Sequence, residues 1–464
     1  MFCVSFLCTF AEKTMDDRQQ ATNIRRLIGV NALLHFLVDG LCICCLYLTT
    51  AQCADIVVTY MTYNVLAFLT QPFTGWWIDK IQHKHWVLLG AVVLLTLAVL
   101  TASLSTQFDA SATGKVFLWP MTILLGIGNS LFHVWGGKLT AVHSKNDIRA
   151  LGVFVSTGAF GLAIGGLCAS WSLLYVFLLS ICVLAFMTQT LPSPSLEGGS
   201  GISAHEDTNE HGNNPLHLGR VRGGSVLLLL IMLIVAGRSF AGEAFTSGIT
   251  KGPVFILTLG AVSMAGKMAG GWFVKGLGMW KAVVLMVVGA LVCFVGKNLH
   301  VAIMLAGLFL VNCTMPVTLY WANATLKGRE GLAFGLLAAA LMPGYLLASD
   351  RQLAFLLLTT LVPTILIELG VLWFLKERRR KVLLSSIVVN VLTNVPLNLL
   401  VNHLDGGWGF ILGGEVVVFI VEALWYFYFT RSIKQALIYS FLCNAISFLI
   451  GLLFWLIYLQ TLVY

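Results

Sequence analysis

Apolar runs of about 20 residues follow one another along the whole chain, and this feature limits the possible folds most. A helix of about 20 residues crosses the ~30 Å hydrocarbon core of a bilayer. Hydrophobic residues make up 58% of the chain and charged residues 10%, whereas soluble domains average about 45–50% and about 25%. The alternation typical of barrel strands is missing, and helices satisfy their own backbone groups in lipid. The sequence therefore predicts an all-α polytopic protein within a lipid bilayer.

The runs predict fifteen membrane-spanning helices. Their predicted boundaries are residues 26–49, 55–78, 86–106, 115–141, 149–169, 171–191, 225–246, 253–274, 280–297, 299–323, 330–348, 353–375, 382–402, 409–430 and 435–463. The apolar start, residues 2–10, is too short to span, and either Met1 or Met15 is the true start of the protein.

The connections between these spans alternate in charge. Of the 28 Lys and Arg residues, 22 fall in one alternating set of connections and 4 in the other, and Arg238 and Lys267 lie inside spans. Because positive residues stay on the cytoplasmic side, the pattern predicts a cytoplasmic N-terminus and leaves Tyr464 outside. The same rule accounts for the net charge of +8, so a nucleic-acid partner is not predicted.

One long connection divides the chain. Residues 192–224 are rich in Gly, Ser, Pro, Asn and His, which is typical of a cytoplasmic linker. It separates an N-terminal six-helix bundle, residues 26–191, from a C-terminal six-helix bundle, residues 225–375. Residues 1–25 form a cytoplasmic N-terminal segment, and residues 376–464 hold a basic linker and three additional membrane helices.

A weak internal repeat relates the two bundles. Gly75-Trp-Trp-Ile-Asp79 follows the second helix, and Gly271-Trp-Phe-Val-Lys275 follows the eighth. Parallel repeats with the substrate site between them are a recurring design of membrane transporters.

A polar stripe lies inside the first span. Asn31, His35 and Asp39 are four residues apart, so they share a face about 80° wide. A charged side chain near the bilayer centre costs about 2.5–3.5 kcal/mol on insertion scales, so Asp39 is expected to face protein or water. A carboxyl group in apolar surroundings holds a proton more readily than in water. Asp39 is therefore the predicted proton-coupling residue and His35 its tuning partner; the alternatives are a structural carboxylate and a packing histidine.

Other polar residues within spans are candidates for substrate binding. A buried Arg238 needs an acid or an anionic substrate, and an Asp39–Arg238 pair across the cavity is the preferred prediction. Glu243, five residues further on, is expected nearer the outer mouth. Lys267 is interpreted as a structural residue that snorkels to the inner surface. The remaining candidates, for each of which interhelical hydrogen bonding is the alternative, are Asn31, Asn64, Gln71, His133 and Trp135.

Several motifs carry a family resemblance. Gly75-x-x-x-Asp79-Lys80 resembles the inner-loop signature of the major facilitator superfamily, and Gly152, Gly161 and Gly165 in the fifth helix resemble the glycine motif of its antiporters. Four stretches resemble the fosmidomycin-resistance type of drug efflux protein. They are His35-Phe-Leu-Val-Asp39, residues 71–80, residues 126–133 and Arg238-Ser239, and the likeness covers about residues 26–375. The sequence departs from these patterns at Val134, Gly166 and Lys275.

The resemblance implies a twelve-helix, two-bundle major-facilitator fold with three extra helices, in the inner membrane of a bacterium. Gly75, Asp79 and Lys80 are expected to form a conformational latch, because a carboxylate can cap a neighbouring helix in one state and release it in another. The three glycines, Gly152, Gly161 and Gly165, are expected to allow close helix packing during gating.

The predicted function is secondary transport: efflux of a small amphipathic or anionic substrate in exchange for protons. Uptake of a small solute, proton-coupled or facilitative, is the first alternative. A transport-inactive scaffold or sensor is the second. The sequence has no phosphate-binding GxxxxGK[ST] motif and no nucleophile motif, so it does not predict an enzyme or a cofactor. The cysteines lack metal-ligand spacing, and no metal site is predicted.

The last three helices carry polar residues of their own. Asn390, Asn394 and Asn398 form a second stripe, and Glu415 and Glu422 share a helix face. Residues 382–463 are expected to be a docking surface for a membrane partner or for self-association; a fused module with its own substrate is the alternative.

Overall fold

The computed structural model describes residues 2–50, 56–81, 85–107, 112–190, 224–249, 252–349, 351–403 and 408–463. Every regular element in these ranges is helical. In chain order the elements are α1 (Phe2–Thr50), α2 (Ile56–Asn64), a π-helical turn (Val65–Leu69), α3 (Gln71–Ile78), α4 (His85–Gln107), α5 (Ala112–His143), α6 (Ile148–Leu167), α7 (Trp171–Thr190), α8 (Gly224–Thr246), α9 (Pro253–Leu277), α10 (Met279–Val295), α11 (Val301–Thr325), α12 (Glu330–Ser349), α13 (Arg351–Phe374), α14 (Arg380–His403), α15 (Trp408–Thr430) and α16 (Ile433–Val463).

Helices lie at the positions of all fifteen predicted spans, but the helices at the second and thirteenth spans, α2 with α3 and α14, are not among those long and apolar enough to cross a membrane. Within the described residues, eleven are long and apolar enough to cross a membrane, and Met279–Val295 and Thr359–Phe374 are shorter apolar helices. The prediction of an all-α polytopic protein is therefore confirmed. Helix α1 begins well before residue 26, since no Gly or Pro interrupts residues 2–28. The predicted linker lies outside the described residues, except for Gly224 at the start of α8.

The second predicted span is not one continuous helix. A π-helical turn, Val65–Leu69, separates α2 from α3. Pro72 follows closely and has no N–H to bond the Phe68 carbonyl four residues back, so the regular hydrogen-bond ladder cannot continue there.

Two bundles, α1–α7 and α8–α13, pack against each other along two main seams. Helix α6 packs on α9, and α3 packs on α12. Glycines permit the close approach: a methyl group at Gly152 would meet the Lys267 carbonyl of α9, and one at Gly75 would overlap the Gly331 carbonyl of α12.

The outer faces of the bundles are apolar. Leu179 is 67% exposed, Phe186 72% and Val295 87%. Side chains of this kind suit contact with lipid, because hydrocarbon rather than water surrounds a membrane-spanning helix.

The C-terminal helices form a four-helix arrangement with α13. Helix α14 packs on α13 and α15, and α16 packs on α13 and α15. The arrangement has its own buried core, which includes Leu372, Val389 and Tyr426. Helix α14 also contacts α2 and the π turn, and the Phe73 ring meets the Trp425 ring edge-to-face at 5.0 Å. The three additional helices therefore lie against the second span.

A charged cluster fixes the connection between α13 and α14. The Glu377 carboxylate accepts hydrogen bonds from Arg379, at 2.5 Å from Nη2, and from the Tyr439 hydroxyl at 3.0 Å. The bonds from Arg379 act first among the causes that lower the pKa of Glu377, to about 2 from its ordinary value of 4.5.

We expect Gly161→Ala to lower the melting temperature of the purified protein. A methyl group at this position would overlap the Phe36 carbonyl of α1, and overpacking of this kind costs about 1–3 kcal/mol. The matched control is Gly237→Ala in α8, where an added methyl group meets nothing within 4 Å. Equal melting temperatures for the two variants would contradict the close α1–α6 packing.

The Glu377 cluster predicts a pH-dependent contribution to stability. Because the folded pKa is about 2 and the ordinary value is 4.5, the stabilisation is complete above pH 4.5 and is lost as the pH falls towards 2. At pH 7, Glu377→Gln should melt below the wild type, and the gap should close as the pH is lowered through this range. A gap that stays constant with pH would exclude the carboxylate as its source.

Candidate functional site

A cavity of about 600 Å³ lies between the two bundles. It reaches Leu46 near the end of α1, Tyr60 near the start of α2 and Thr246 at the end of α8. At the other end of the cavity, near the end of α3, the two bundles contact each other and close the cavity. The cavity thus extends to helix ends on one side of the predicted membrane, and the seams between the bundles separate it from the other side.

Asp39 lies in the cavity wall between two histidines. Its Oδ2 is 3.3 Å from His35 Nε2, one turn back on α1, and its Oδ1 is 3.3 Å from His133 Nε2 on α5. Asn129, one turn before His133, points its amide nitrogen at Oδ1 from 3.4 Å. We call Asp39, His35 and His133 the triad.

Hydrogen bonds to the backbone define the form of both imidazoles. His35 Nδ1 is 2.7 Å from the Phe154 carbonyl, and His133 Nδ1 is 3.0 Å from the Asn129 carbonyl. A carbonyl only accepts, so both Nδ1 atoms carry hydrogen, and in the neutral rings both Nε2 atoms are bare.

This arrangement sets how many protons the triad takes up. Each Nε2···Oδ contact with Asp39 needs one proton between its two atoms to be a hydrogen bond. With no added proton the triad has charge −1 and both contacts oppose lone pairs. One proton makes it neutral, and two protons satisfy both contacts and give +1.

Gly158 on α6 leaves the space for this group. A methyl group there would overlap both Asp39 Oδ2 and His35 Nε2. Helix α6 therefore contributes to the site one backbone carbonyl, that of Phe154, and the space left by the missing side chain at Gly158.

The second bundle supplies two cations to the same cavity. Arg238 on α8 and Lys267 on α9 both line it, and within the described residues neither forms an ion pair. Arg238 Nη1 is buried and has no hydrogen-bond partner there. Lys267 is near enough to Asp39 and His133 to act on them electrostatically.

Two predictions about these residues are wrong. Asp39 does not pair with Arg238, because the two histidines and Asn129 occupy both carboxylate oxygens. Lys267 does not snorkel away to the surface, since α9 turns its side chain towards the cavity.

The remaining substrate candidates divide into two groups. Asn64, Gln71 and Glu243 line the cavity. Asn31 and Trp135 do not, which corrects their assignment: Asn31 is fully buried two turns from Asp39, and Trp135 packs in the core of the first bundle. Two residues beyond His133, Trp135 projects from a different side of α5.

Asp79 forms the contact expected of a latch. Its Oδ1 accepts from the Gly331 N–H at 3.0 Å and its Oδ2 from the Leu332 N–H at 2.8 Å, at the start of α12. The buried Lys138 Nζ lies 2.8 Å from Oδ1. Lys80 Nζ lies over the Trp76 ring, 3.3 Å from its centre.

Gly161 and Gly165 pack α6 on α1, whereas Gly152 packs α6 across the seam on α9. The gating role of the three glycines remains a prediction.

The second bundle has a related contact with a different charge arrangement. A methyl group at Gly271 would meet the backbone of Ile148 and Arg149 at the start of α6. Here the acid is Asp147, which caps α6 itself by accepting from the Arg149 N–H at 2.8 Å. The Arg149 side chain lowers the pKa of Asp147 most, and Lys275 adds to this effect. At the position where the first repeat has the acid Asp79, the second repeat has Lys275, which faces an acid, Asp147, on the other bundle.

Asn129, Gly158 and Lys138 were not predicted. A signal for Asn129 was available, since Asn129 and His133 have the same four-residue spacing as Asn31 and His35. Gly158 and Lys138 act through helices far away in sequence, so spacing alone could not reveal them.

The triad also has the donor atoms of a metal site. The ligand atoms of His35, Asp39 and His133 lie within 4.8 Å of one another, and imidazole with carboxylate suits several transition metals. The positive charge of nearby Lys267 opposes any added cation, and by Coulomb's law it opposes a dication more than a single proton.

No protein-family model matches the chain, and no curated protein matches it in sequence. Among solved structures, the chain is similar to the fucose:proton symporter FucP of E. coli, with a TM-score of 0.50 and 11% identity over 82% of this chain and 98% of that one. A bacterial homologue of the iron transporter ferroportin, in an outward-facing state, gives a TM-score of 0.43 and 13% identity over 81% and 98%.

The likeness to the symporter concerns the fold alone. The chain therefore shares an all-α fold with that solved structure over 82% of its length.

Proposed function

We propose that the chain is a secondary transporter that couples proton binding at the triad to the passage of a small anionic or amphipathic compound. The observation that carries this proposal is that a carboxylate with two histidines and two cationic side chains face each other across one cavity. Asp39 and its two histidines take up protons on one wall, and the unpaired Arg238 and Lys267 face them from the other.

An anion is the substrate class that the cavity favours. Hydrogen bonds to a charged group contribute about 1.5–3 kcal/mol each, and a guanidinium binds a carboxylate or phosphate through two parallel bonds. The buried Arg238 Nη1 without a partner is one donor ready for such a group. Apolar residues such as Leu337 and Met342 line other parts of the wall and would accommodate an amphipathic body.

The charges favour movement of proton and anion together. Each proton on the triad makes the cavity more positive, so it strengthens the attraction for an anion instead of competing with it. With a cytoplasmic N-terminus, the cavity faces outward, where the substrate of an uptake system enters. We therefore infer cotransport into the cell. Efflux by exchange for protons, in the manner of the fosmidomycin-resistance type, is the alternative that the direction of coupling tests.

The departures from the family motifs do not favour an inactive scaffold. Lys275 faces the region of Asp147, so the altered charge has a structural partner. Asp39, His35 and His133 remain together in one site.

The proton assignment predicts that Asp39→Asn uncouples transport from the pH gradient. A ligand panel of small carboxylates and organophosphates, screened by thermal stabilisation, supplies the substrate. In proteoliposomes with acid outside, one pH unit sustains about tenfold accumulation at one proton per substrate, and Asp39→Asn should show none while it still exchanges labelled for unlabelled substrate.

Glu330→Gln is the matched control, because it removes a carboxylate at the start of α12, outside the cavity lining. It should retain accumulation. Accumulation by Asp39→Asn at the wild-type level would refute the assignment, and accumulation only with acid inside would establish exchange instead of cotransport.

The anion assignment predicts a loss of affinity in Arg238→Gln. Loss of a charge-assisted bond should weaken binding by about 10- to 150-fold, the equivalent of 1.5–3 kcal/mol. Arg238→Lys keeps the charge and should retain part of the affinity. Isothermal titration of the identified ligand measures both, and a smaller loss in Arg238→Gln than in Arg238→Lys would contradict the assignment.

A further inference from the structure

Two fully buried glutamates lie inside the α13–α16 arrangement, apart from the central cavity. Glu368 on α13 and Glu422 on α15 are each 0% exposed. Within the described residues, neither forms an ion pair with Lys, Arg or His. A buried, unneutralised carboxylate is among the most costly groups in a membrane, and the part of the chain that the structure describes offers these two no cationic partner.

Three of the four carboxylate oxygens accept from uncharged donors. Asn390 Nδ2 lies 2.5 Å from Glu368 Oε2, Thr393 Oγ1 lies 3.2 Å from Glu422 Oε1, and Asn444 Nδ2 lies 2.5 Å from Glu422 Oε2. These donors orient the carboxyl groups but add no charge.

The fourth oxygen, Glu368 Oε1, has no hydrogen-bond partner within the described residues, and neither have the hydroxyls of Ser386 and Tyr426. All three residues are fully buried, and Ser386 lies beside both Glu368 and Tyr426. A protonated carboxyl needs an acceptor for its O–H. The hydroxyl oxygens of Ser386 and Tyr426 provide one.

We propose that Glu368 and Glu422 form a second proton-binding site, separate from the triad, within the C-terminal helices. A proton on Oε1 of Glu368 removes the charge of the carboxyl group. It also makes Oε1 a hydrogen-bond donor to the nearby hydroxyl oxygens. Because Glu422 is close by, protonation of one carboxyl eases the ionisation of the other.

The groups that face the site explain why a proton rather than another charge fills it. Helix α14 presents uncharged amides and hydroxyls, α15 adds Glu415 and Tyr426, and α16 adds Cys443, whose Sγ lies 3.8 Å from the Glu368 carbonyl. None of these is a cation at neutral pH.

A polar path leads away from the site along α14. Asn394 Nδ2 donates to Asn390 Oδ1 at 2.9 Å, and Asn398 Nδ2 donates to the Asn394 carbonyl at 2.8 Å. Eight residues of helix cover about 12 Å. The stripe therefore extends polar groups from the neighbourhood of Glu368 towards the C-terminal part of α14, away from the central cavity.

The experiment is infrared difference spectroscopy of the full-length protein in lipid, titrated with pH. The carbonyl band of a protonated carboxyl should be present at neutral pH and should disappear as the pH rises. Glu368→Gln and Glu422→Gln should each remove part of this band, and the double variant should remove all of it. These substitutions keep the size and most hydrogen bonds of the side chains, and the wild-type titration stands without them.

Asp39→Asn is the control that separates this site from the triad, and it should leave the band intact. No substrate is needed, so failure of the transport proposal would not affect the result. Carboxyls that are ionised at neutral pH, a band that never changes with pH, or a band lost on addition of sodium at constant pH would each overturn the proposal.

Discussion

The cost of placing a carboxylate in hydrocarbon governs the arrangement of the first bundle. Asp39 is tolerated in α1 because α5 and α6 are arranged around it: α5 provides His133 and Asn129, and α6 provides the Phe154 carbonyl that holds His35. Gly158 allows α6 to come close enough. The packing of three helices is thus organised around one ionisable group.

The two seams between the bundles show how one repeat can use two charge solutions. At α3 and α12 the acid lies on the helix that approaches, and Asp79 reaches across to free N–H groups. At α9 and α6 the acid is the cap of the receiving helix, and the approaching helix carries Lys275. Both solutions place negative charge at a helix N-terminus, where the helix dipole favours it. The first bundle supplies the acid at both seams, and the two differ in whether the acid lies on the approaching helix or on the helix that it caps.

The sequence predicted the helices well because length and hydrophobicity are local properties. It also predicted that Asp39 faces protein and that Asp79 reaches a helix N-terminus. The partners of Asp39 were out of reach, since His133 is 94 residues away and symmetry between the halves favoured Arg238 instead. Trp135 was assigned to the cavity because it lies close to His133 on α5, but it projects from another face of that helix. Asn31 shares the face of His35 and Asp39 but lies one turn before His35, where the cavity wall begins on α1. The π turn was missed because it depends on Pro72 and on packing, not on hydrophobic periodicity.

The contact between Asp79 and α12 has a consequence for how such a protein can diverge. Two of the three donors to Asp79 belong to the main chain, which every amino acid possesses. The contact with Asp79 therefore does not use the side chain at position 332; it needs an acid at position 79 and the absence of side chains at Gly75 and Gly331. A contact that relies on backbone groups tolerates extensive sequence change, and related proteins that share it would have few identical residues in common at this seam.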